Sequence, residues 1–509
     1  MFVLLLLVSI SISTVLGKSP RNSHLLHTTP FPTTHRQAAQ LYTRARAHGT
    51  RLRARAGALS HPHESTCNPA TTATPSFRVT PAQFGGDPTG LTDSTQALTS
   101  AIQSLLNHSS SLPHMASSIV NHGGAMLDLA GGVYLTSAPL VIPVFTGNLH
   151  IGGSGTLRAS STFPKDAYLI QIGSPSCQPK DSQKVCNEFI TVSNVFLDAA
   201  HVGAGGIRVS MTMGTTITNS FAVGFRTAGI LVDQGHETMV SECWFAEYYW
   251  SEHHSQSTCN KDVDGSGSTG IAINGEDNIV SDVIVFDFTC LGVWVNGAAN
   301  LLTGVHSWNG AGQVAISVNG SYDVQDRIVD CYLDYGVLSI VNPQFVLVQG
   351  NFFYNTHMEL LGAQPVTQMI MKENMFSLNQ YGGNKSVVVA DGARCSQVTV
   401  EDNINAYQGT QEQSMHVLST RLKRRREFVA TAKNKGVFVF DFSNALIFGK
   451  IDYVQYSVVS HLHYGIQTLS HYAVQLNATA VQVVITLPAG CSTATGTVYL
   501  EVAECSTTS

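Results

Sequence analysis

The chain has 509 residues, 43% hydrophobic and only 12% charged, with 44 Gly and 22 Phe, which is ample for a large core and suits a stacked β architecture. Its net charge of −6 is uneven: residues 1–57 carry eight Lys/Arg and no Asp or Glu, leaving 20 basic against 34 acidic residues in the remainder, a net of −14. That balance gives no footprint for nucleic acid, and beyond the N-terminus no stretch is long and apolar enough to span a bilayer.

In chain order, residues 1–17 read as a secretory signal peptide: 2–17 are apolar and end in Val15-Leu16-Gly17, although the usual basic start is missing. Residues 18–75 are rich in Pro, Thr, His and Arg and form a flexible basic leader. Its arginines, Arg44 to Arg55, are either simply solvated or retain the protein on an acidic wall polymer. Order is expected from 76 onwards. Asp93-Ser-Thr-Gln96 precedes Ala97, Leu98, Ile102, Leu105 and Leu106, the pattern of a capped amphipathic helix that closes one end of a solenoid.

The middle of the chain repeats. Ile207, Ile230, Ile271, Val293, Val314 and Leu338 sit in alike short strands at spacings of 23, 41, 22, 21 and 24, the 41 being one repeat plus an insertion. A second ladder runs through Ile217, Val240, Val280, Leu302, Val329, Val348, Met371 and Val400. Strands recurring once per coil stack in parallel, so residues 76–410 are expected to form an all-β parallel β-helix. Its long grooved side suits an extended polymer such as a polysaccharide. Thr238, Asn278 and Asn300 fall at one turn of successive coils, where their side chains bond to each other and to backbone. The 246–269 insertion is expected to overhang the groove, pinned by Cys243–Cys259.

The period ends near 410. The basic run Arg421–Arg426 reads as an exposed loop or connector, and residues 427–509 hold separate strands that form a small antiparallel β domain. Cys177–Cys186 and Cys491–Cys505 are the other local disulfide pairs, in keeping with export. The cysteines are scattered and include no Cys-x-x-Cys, which argues against zinc. Sequons at Asn107, Asn319, Asn384 and Asn477 fit a secreted glycoprotein.

Several motifs carry a resemblance. Phe84-Gly-Gly-Asp-Pro-Thr-Gly-Leu-Thr-Asp-Ser-Thr-Gln-Ala97 is similar to the N-terminal signature of the pectin-lyase-like superfamily. Gly229-Ile-Leu-Val-Asp-Gln-Gly-His-Glu-Thr238, Gly304-Val-His-Ser-Trp-Asn309, Cys331-Tyr-Leu-Asp-Tyr335 and Thr495-Gly-Thr-Val-Tyr499 resemble the quartet-type plant polygalacturonases, related to glycoside hydrolase family 28. The resemblance covers roughly residues 77–503 and implies a right-handed parallel β-helix, a galacturonan substrate and a place in the cell wall. It does not carry the hydrolase family's usual acids and histidine. Their positions fall on Ala228, Ser268, Thr269 and Leu291, and no Lys or Arg occurs between Asn309 and Asp326.

A glycosidase needs one protonated and one ionised carboxyl. Candidates beside the groove are Asp264 and Asp287, with Asp334 at its edge; each also reads as a turn or capping Asp. The second set is His236, Glu237, Glu276 and Asp277: coil alignment stacks Glu237 near Asp277 and His236 near Glu276. Strand alternation turns Arg208 and Trp294 outward with Leu231, Ala272 and Ala315, for a uronate carboxylate and a sugar face. His306 flanks Trp308 as a further binding residue. The expected function is a secreted pectin-active glycosidase, monomeric and without a cofactor. The alternatives are a lyase using Ca²⁺ and a catalytically inactive wall-polysaccharide binder.

Overall fold

The computed structural model describes residues 77–108, 115, 119–179, 185–248, 268–308, 314–319, 325–378, 388–390, 395–407, 415–418, 421–429, 437–442, 446, 451, 453–461, 475–479, 482–486 and 495–503. The signal and leader segments, Asp264, most of the 246–269 insertion and the Cys491–Cys505 pair lie outside them.

The chain is a right-handed parallel β-helix of three ladders. The first runs from Leu140–Ile142 to Val388–Ala390, and the second from Arg78–Val79 to Thr399–Glu401. Together they make a 23-stranded sheet, and the third ladder, from Thr89–Asp93 to Asn403–Tyr407, lies in a 13-stranded one. Each coil passes from first to second to third ladder. At many of the described corners the chain turns through a residue in the left-handed region. Glu237, Asp277, Ala299 and Gln325 are such residues between the first and second ladders, at φ 52°, 60°, 61° and 48°. The residue that follows each is buried: Thr238, Asn278, Asn300 and Asp326. The Thr238, Asn278 and Asn300 backbone amides donate to Oδ1 of Asn278, Asn300 and Asp326, at 2.9, 3.1 and 2.8 Å. The turn ladder expected from the sequence therefore exists, and Asp326 extends it. Asn351, Asn374 and Asn403 form a second ladder at the next corner, with Nδ2 to Oδ1 distances of 2.9 and 2.8 Å.

Ile207, Ile230, Ile271 and Val293 pair in the expected inward stack, so the insertion leaves its flanking coils adjacent. The next member is Ile316, not Val314. Val314 pairs with Leu291 and Ile316 with Val293 in unbroken register, and a one-residue irregularity follows only where this strand pairs with the next, Ile316 meeting Leu338. Ala315 is consequently in the core rather than outward, and Ser317 stands beside Trp294. In the second ladder Ile328, not Val329, pairs with Leu302 and Val348. Only glycine fits at Gly229 and Gly270, because a Cβ there would sit 2.7 Å from the carbonyl oxygen of the next coil.

Helix α1, Thr95–Asn107, buries Ala97, Leu98, Ala101, Ile102 and Leu105 against the first coils. Asp93 Oδ1 accepts from the Thr95 amide at 2.9 Å, fixing its start. At the other end, two three-stranded antiparallel sheets share a separate core that includes Phe442, Val483, Ile485 and Val498. The basic run is part of this unit rather than a loop: Arg421–Val429 pairs along its whole length with Thr495–Ala503.

The Cys177–Cys186 disulfide is present, and Cys290 and Cys395 are also disulfide-bonded. Cys243 is a free, buried thiol, which overturns the Cys243–Cys259 bridge. It follows the left-handed corner residue Glu242, so its side chain points inward, as Asn351 and Asn374 do in later coils. Its sulfur bonds to the Ser241 carbonyl at 3.1 Å, and burial pushes the thiol pKa up to about 12.

Candidate functional site

The parallel register places Ala228, Thr269, Leu291 and Val314 side by side at the entrance of the first ladder. At Ala228 and Thr269 the resemblance leads one to expect acids and at Leu291 a histidine, and here all four residues are buried. Ala228 joins Tyr168, Ala204 and Ala272 in an apolar cluster on the outer side, and Leu291 joins Cys290 and Val314 in another. Trp294 packs on both clusters. It does face outward, as strand alternation requires, but it works as packing as much as display. Arg208 is half-buried and committed locally: Nη2 donates to Asp233 Oδ2 at 2.8 Å and Nε to Ser210 Oγ at 3.2 Å.

At the first corner the stacking expected from sequence is found. His236 pairs with Glu276 across adjacent coils, and the Glu237 amide donates to the Glu276 carbonyl at 3.4 Å. One ligand atom each from His236, Glu276 and Asp277 lie within 4.8 Å of one another. Glu237, Glu276 and Asp277 are exposed and His236 is half-buried. Because Glu237 and Asp277 are themselves corner residues, the backbone fixes their direction independently of side-chain packing. Three protonatable groups thus converge at a surface that a polymer can reach, in a set able to hold a proton or a cation.

Between the third and first ladders lies a second acidic pair that sequence reasoning half missed. Asp287 does not edge an open groove; it is 1% exposed, and neither carboxyl oxygen has a hydrogen-bond partner. Glu247, one coil earlier, is also buried. Its Oε2 accepts from the Ser268 hydroxyl, from the Thr289 amide at 2.7 Å and from the Thr289 hydroxyl at 2.6 Å. Burial raises its pKa against those bonds, and the Asp287 charge adds to the rise. Each acid directly follows a third-ladder strand, Trp244–Ala246 or Ile284–Phe286, and the two strands pair in register. Aligning those strands would have stacked the two acids from sequence; their burial was not legible there.

His306 and Asp334 are not beside Arg208 and Trp294. Both lie on the third ladder, on paired strands His306–Trp308 and Tyr332–Asp334. The His306 ring stacks on Tyr332 at 4.6 Å between centroids, and burial lowers its pKa. Asp334 accepts from the Tyr332 hydroxyl at 3.4 Å, and burial raises its pKa to about 6. The displacement arises because the Cys331–Tyr335 motif runs along the third ladder before turning into the first.

No described helix is long and apolar enough to cross a membrane. No protein-family profile matches the chain. The chain is 36% identical over 311 residues to Polygalacturonase QRT3 of Arabidopsis thaliana, covering 59% of this chain and 61% of that protein. It therefore spans about three fifths of the length of the relative it matches. Among solved structures, ORF18 of Geobacillus virus E2 is 13% identical with a TM-score of 0.45, covering 71% of this chain and 70% of its own. The Dettilon tailspike protein is 11% identical with a TM-score of 0.42, covering 84% and 94%. The DFA-IIIase of Arthrobacter chlorophenolicus A6 is 12% identical with a TM-score of 0.42, covering 66% and 85%. The chain is thus similar to a quartet-type polygalacturonase, and its fold is the parallel β-helix which that likeness implies.

Proposed function

We propose that this protein is a secreted, pectin-active glycosidase that hydrolyses galacturonan in the cell wall. The observation that carries the reading is the convergence of His236, Glu276 and Asp277, with Glu237 at the same corner, on an exposed edge of adjacent coils. Two of these residues, His236 and Glu237, fall in the Gly229–Thr238 motif that resembles the polygalacturonases. In this reading one carboxyl donates a proton to the glycosidic oxygen, another acts from the opposite side, and His236 holds the exchanging proton.

A second reading, binding without cleavage, is favoured by the apolar Ala228, Thr269 and Leu291 row. A third, a lyase, would use the same corner to hold Ca²⁺ through its oxygens. Incubation with polygalacturonate separates the three. The expected result is new reducing ends without an ultraviolet-absorbing unsaturated product, insensitive to chelator. Glu237→Gln and Asp277→Asn should each cut turnover by about 100-fold or more while binding persists. An unsaturated product, or full activity in both variants, overturns the reading.

A further inference from the structure

The outer face of the third ladder takes no part in the reaction proposed above. From Phe196 to Phe352, seven consecutive strands stack in register, and the same outward position holds Phe196, Phe221, Trp244, Ile284, His306, Tyr332 and Phe352 in turn. At the strand spacing of ~4.8 Å this row is about 29 Å long. The rings form two series, one from Phe196 to Trp308 and one from His306 to Phe352. Phe221 and Trp244 lie 6.4 Å apart, Trp244 and Phe286 6.5 Å, and Phe286 and Trp308 4.5 Å and stacked nearly parallel. Phe221 and Trp244 are 37% and 38% exposed. A sheet face turned to water ordinarily alternates toward polar residues, and a contiguous apolar patch on a soluble protein marks a binding surface.

Two further observations narrow the occupant. His306 Nε2 and Asp334 Oδ1 are buried from water beside these rings without a hydrogen-bond partner. Leaving such atoms unpaired is unfavourable, so a ligand toward whose hydroxyls the two side chains turn outward gains accordingly. The charge on the face is the second. Among the outward positions of these seven strands the charged residues are Asp198, already paired with Arg158 at 3.2 Å, and Asp334; none is basic. A nucleic acid or a polyuronate needs cations at its phosphates or carboxylates. A neutral sugar chain needs ring faces for its C–H surfaces and a few polar groups for its hydroxyls, which is what this face presents.

We propose that the outer face of the third ladder binds a neutral pyranose-based glycan chain along the helix axis, its sugar rings stacked on Trp244, Trp308 and Tyr332 and its hydroxyls meeting His306 and Asp334. The surface is distinct from the acidic corner and would hold the protein on a neutral wall glycan while the corner acts on an acidic one. It stands whether or not galacturonan hydrolysis does.

The test is titration of the full-length protein with cellohexaose, mannohexaose, xylohexaose and hexagalacturonate, followed by calorimetry and tryptophan fluorescence. At least one neutral hexasaccharide should bind. Trp308→Ala and Trp244→Ala should each weaken that binding tenfold or more, with unchanged release of reducing ends from polygalacturonate and an unchanged urea midpoint. Tyr332→Phe, which keeps the ring, should weaken it severalfold. The proposal is overturned if no neutral hexasaccharide binds, or if hexagalacturonate binds more tightly in a Trp308-dependent manner. It is equally overturned if Trp308→Ala dissolves a dimer, since a second copy would then be the occupant.

Discussion

Asp326 stands in a turn ladder where the two preceding coils use asparagine, Asn278 and Asn300. Its Oδ1 accepts from the Asn300 amide, but Oδ2 is buried without a partner. Burial dominates and raises its pKa from 3.8 to about 7; the bonds to Asn300 and the charge of Arg327 oppose the rise. For a carboxyl raised on folding, the protonated form is the one the fold prefers. The native state is therefore unpenalised below pH ~4, loses stability between pH ~4 and ~7, and carries the full cost above ~7. At about 1.4 kcal/mol per pH unit, that cost is about 4 kcal/mol at most. Asp326→Asn is neutral at every pH and keeps the acceptor. Its amide also gains the donor that Asn300 uses toward the Gly275 carbonyl at 3.2 Å. Urea midpoints of both proteins from pH 4 to pH 8 test this. The variant should gain about 1–4 kcal/mol at pH 8 and little at pH 4, flattening the profile. A variant that is less stable at pH 8, or a gap that does not change with pH, refutes the argument.

Three further outcomes are expected. Asn374→Ala, in the second turn ladder, removes bonds to the Val348 carbonyl at 3.0 Å and Asn403 at 2.8 Å and orphans the Asn351 donors, so its unfolding free energy from urea titration should fall by about 3 kcal/mol or more. Cys243, with its thiol pKa near 12, should resist iodoacetamide at pH 8 until the protein unfolds; mass-spectrometric detection of a native disulfide on it would contradict the structure. Titration of Asp334 beside Tyr332 and the paired strand of Trp308 should give a tryptophan fluorescence transition near pH 6, lost in Asp334→Asn.

Much of the architecture was legible because spatial neighbours in a parallel β-helix are one period apart in the chain. Ile207, Ile230, Ile271 and Val293 announce their stack by spacing alone, and Thr238, Asn278 and Asn300 announce the turn ladder. The same logic brought His236 beside Glu276. The failures occur where periodicity stops governing. The stack passes from Val293 to Ile316, a spacing of 23 rather than the 21 that picks out Val314, a difference that a 22-residue average cannot resolve. The Arg421–Arg426 run looked like a solvated loop because its partner strand, Thr495–Ala503, is more than 70 residues away.

Composition, period and turn residues by themselves determined that this chain winds into a parallel β-helix with its corners held by stacked polar side chains. Those are local patterns repeated, and each coil reads its neighbour through one backbone register. Tertiary structure alone decided which outward residues meet water. It buried Ala228, Leu291 and Asp287, left Glu276 and Asp277 exposed, and moved His306 and Asp334 to a face of their own. Alternation specifies inside against outside for a single sheet, but what packs on the outside of a coil, and which ladder a motif occupies, depends on contacts that carry no period.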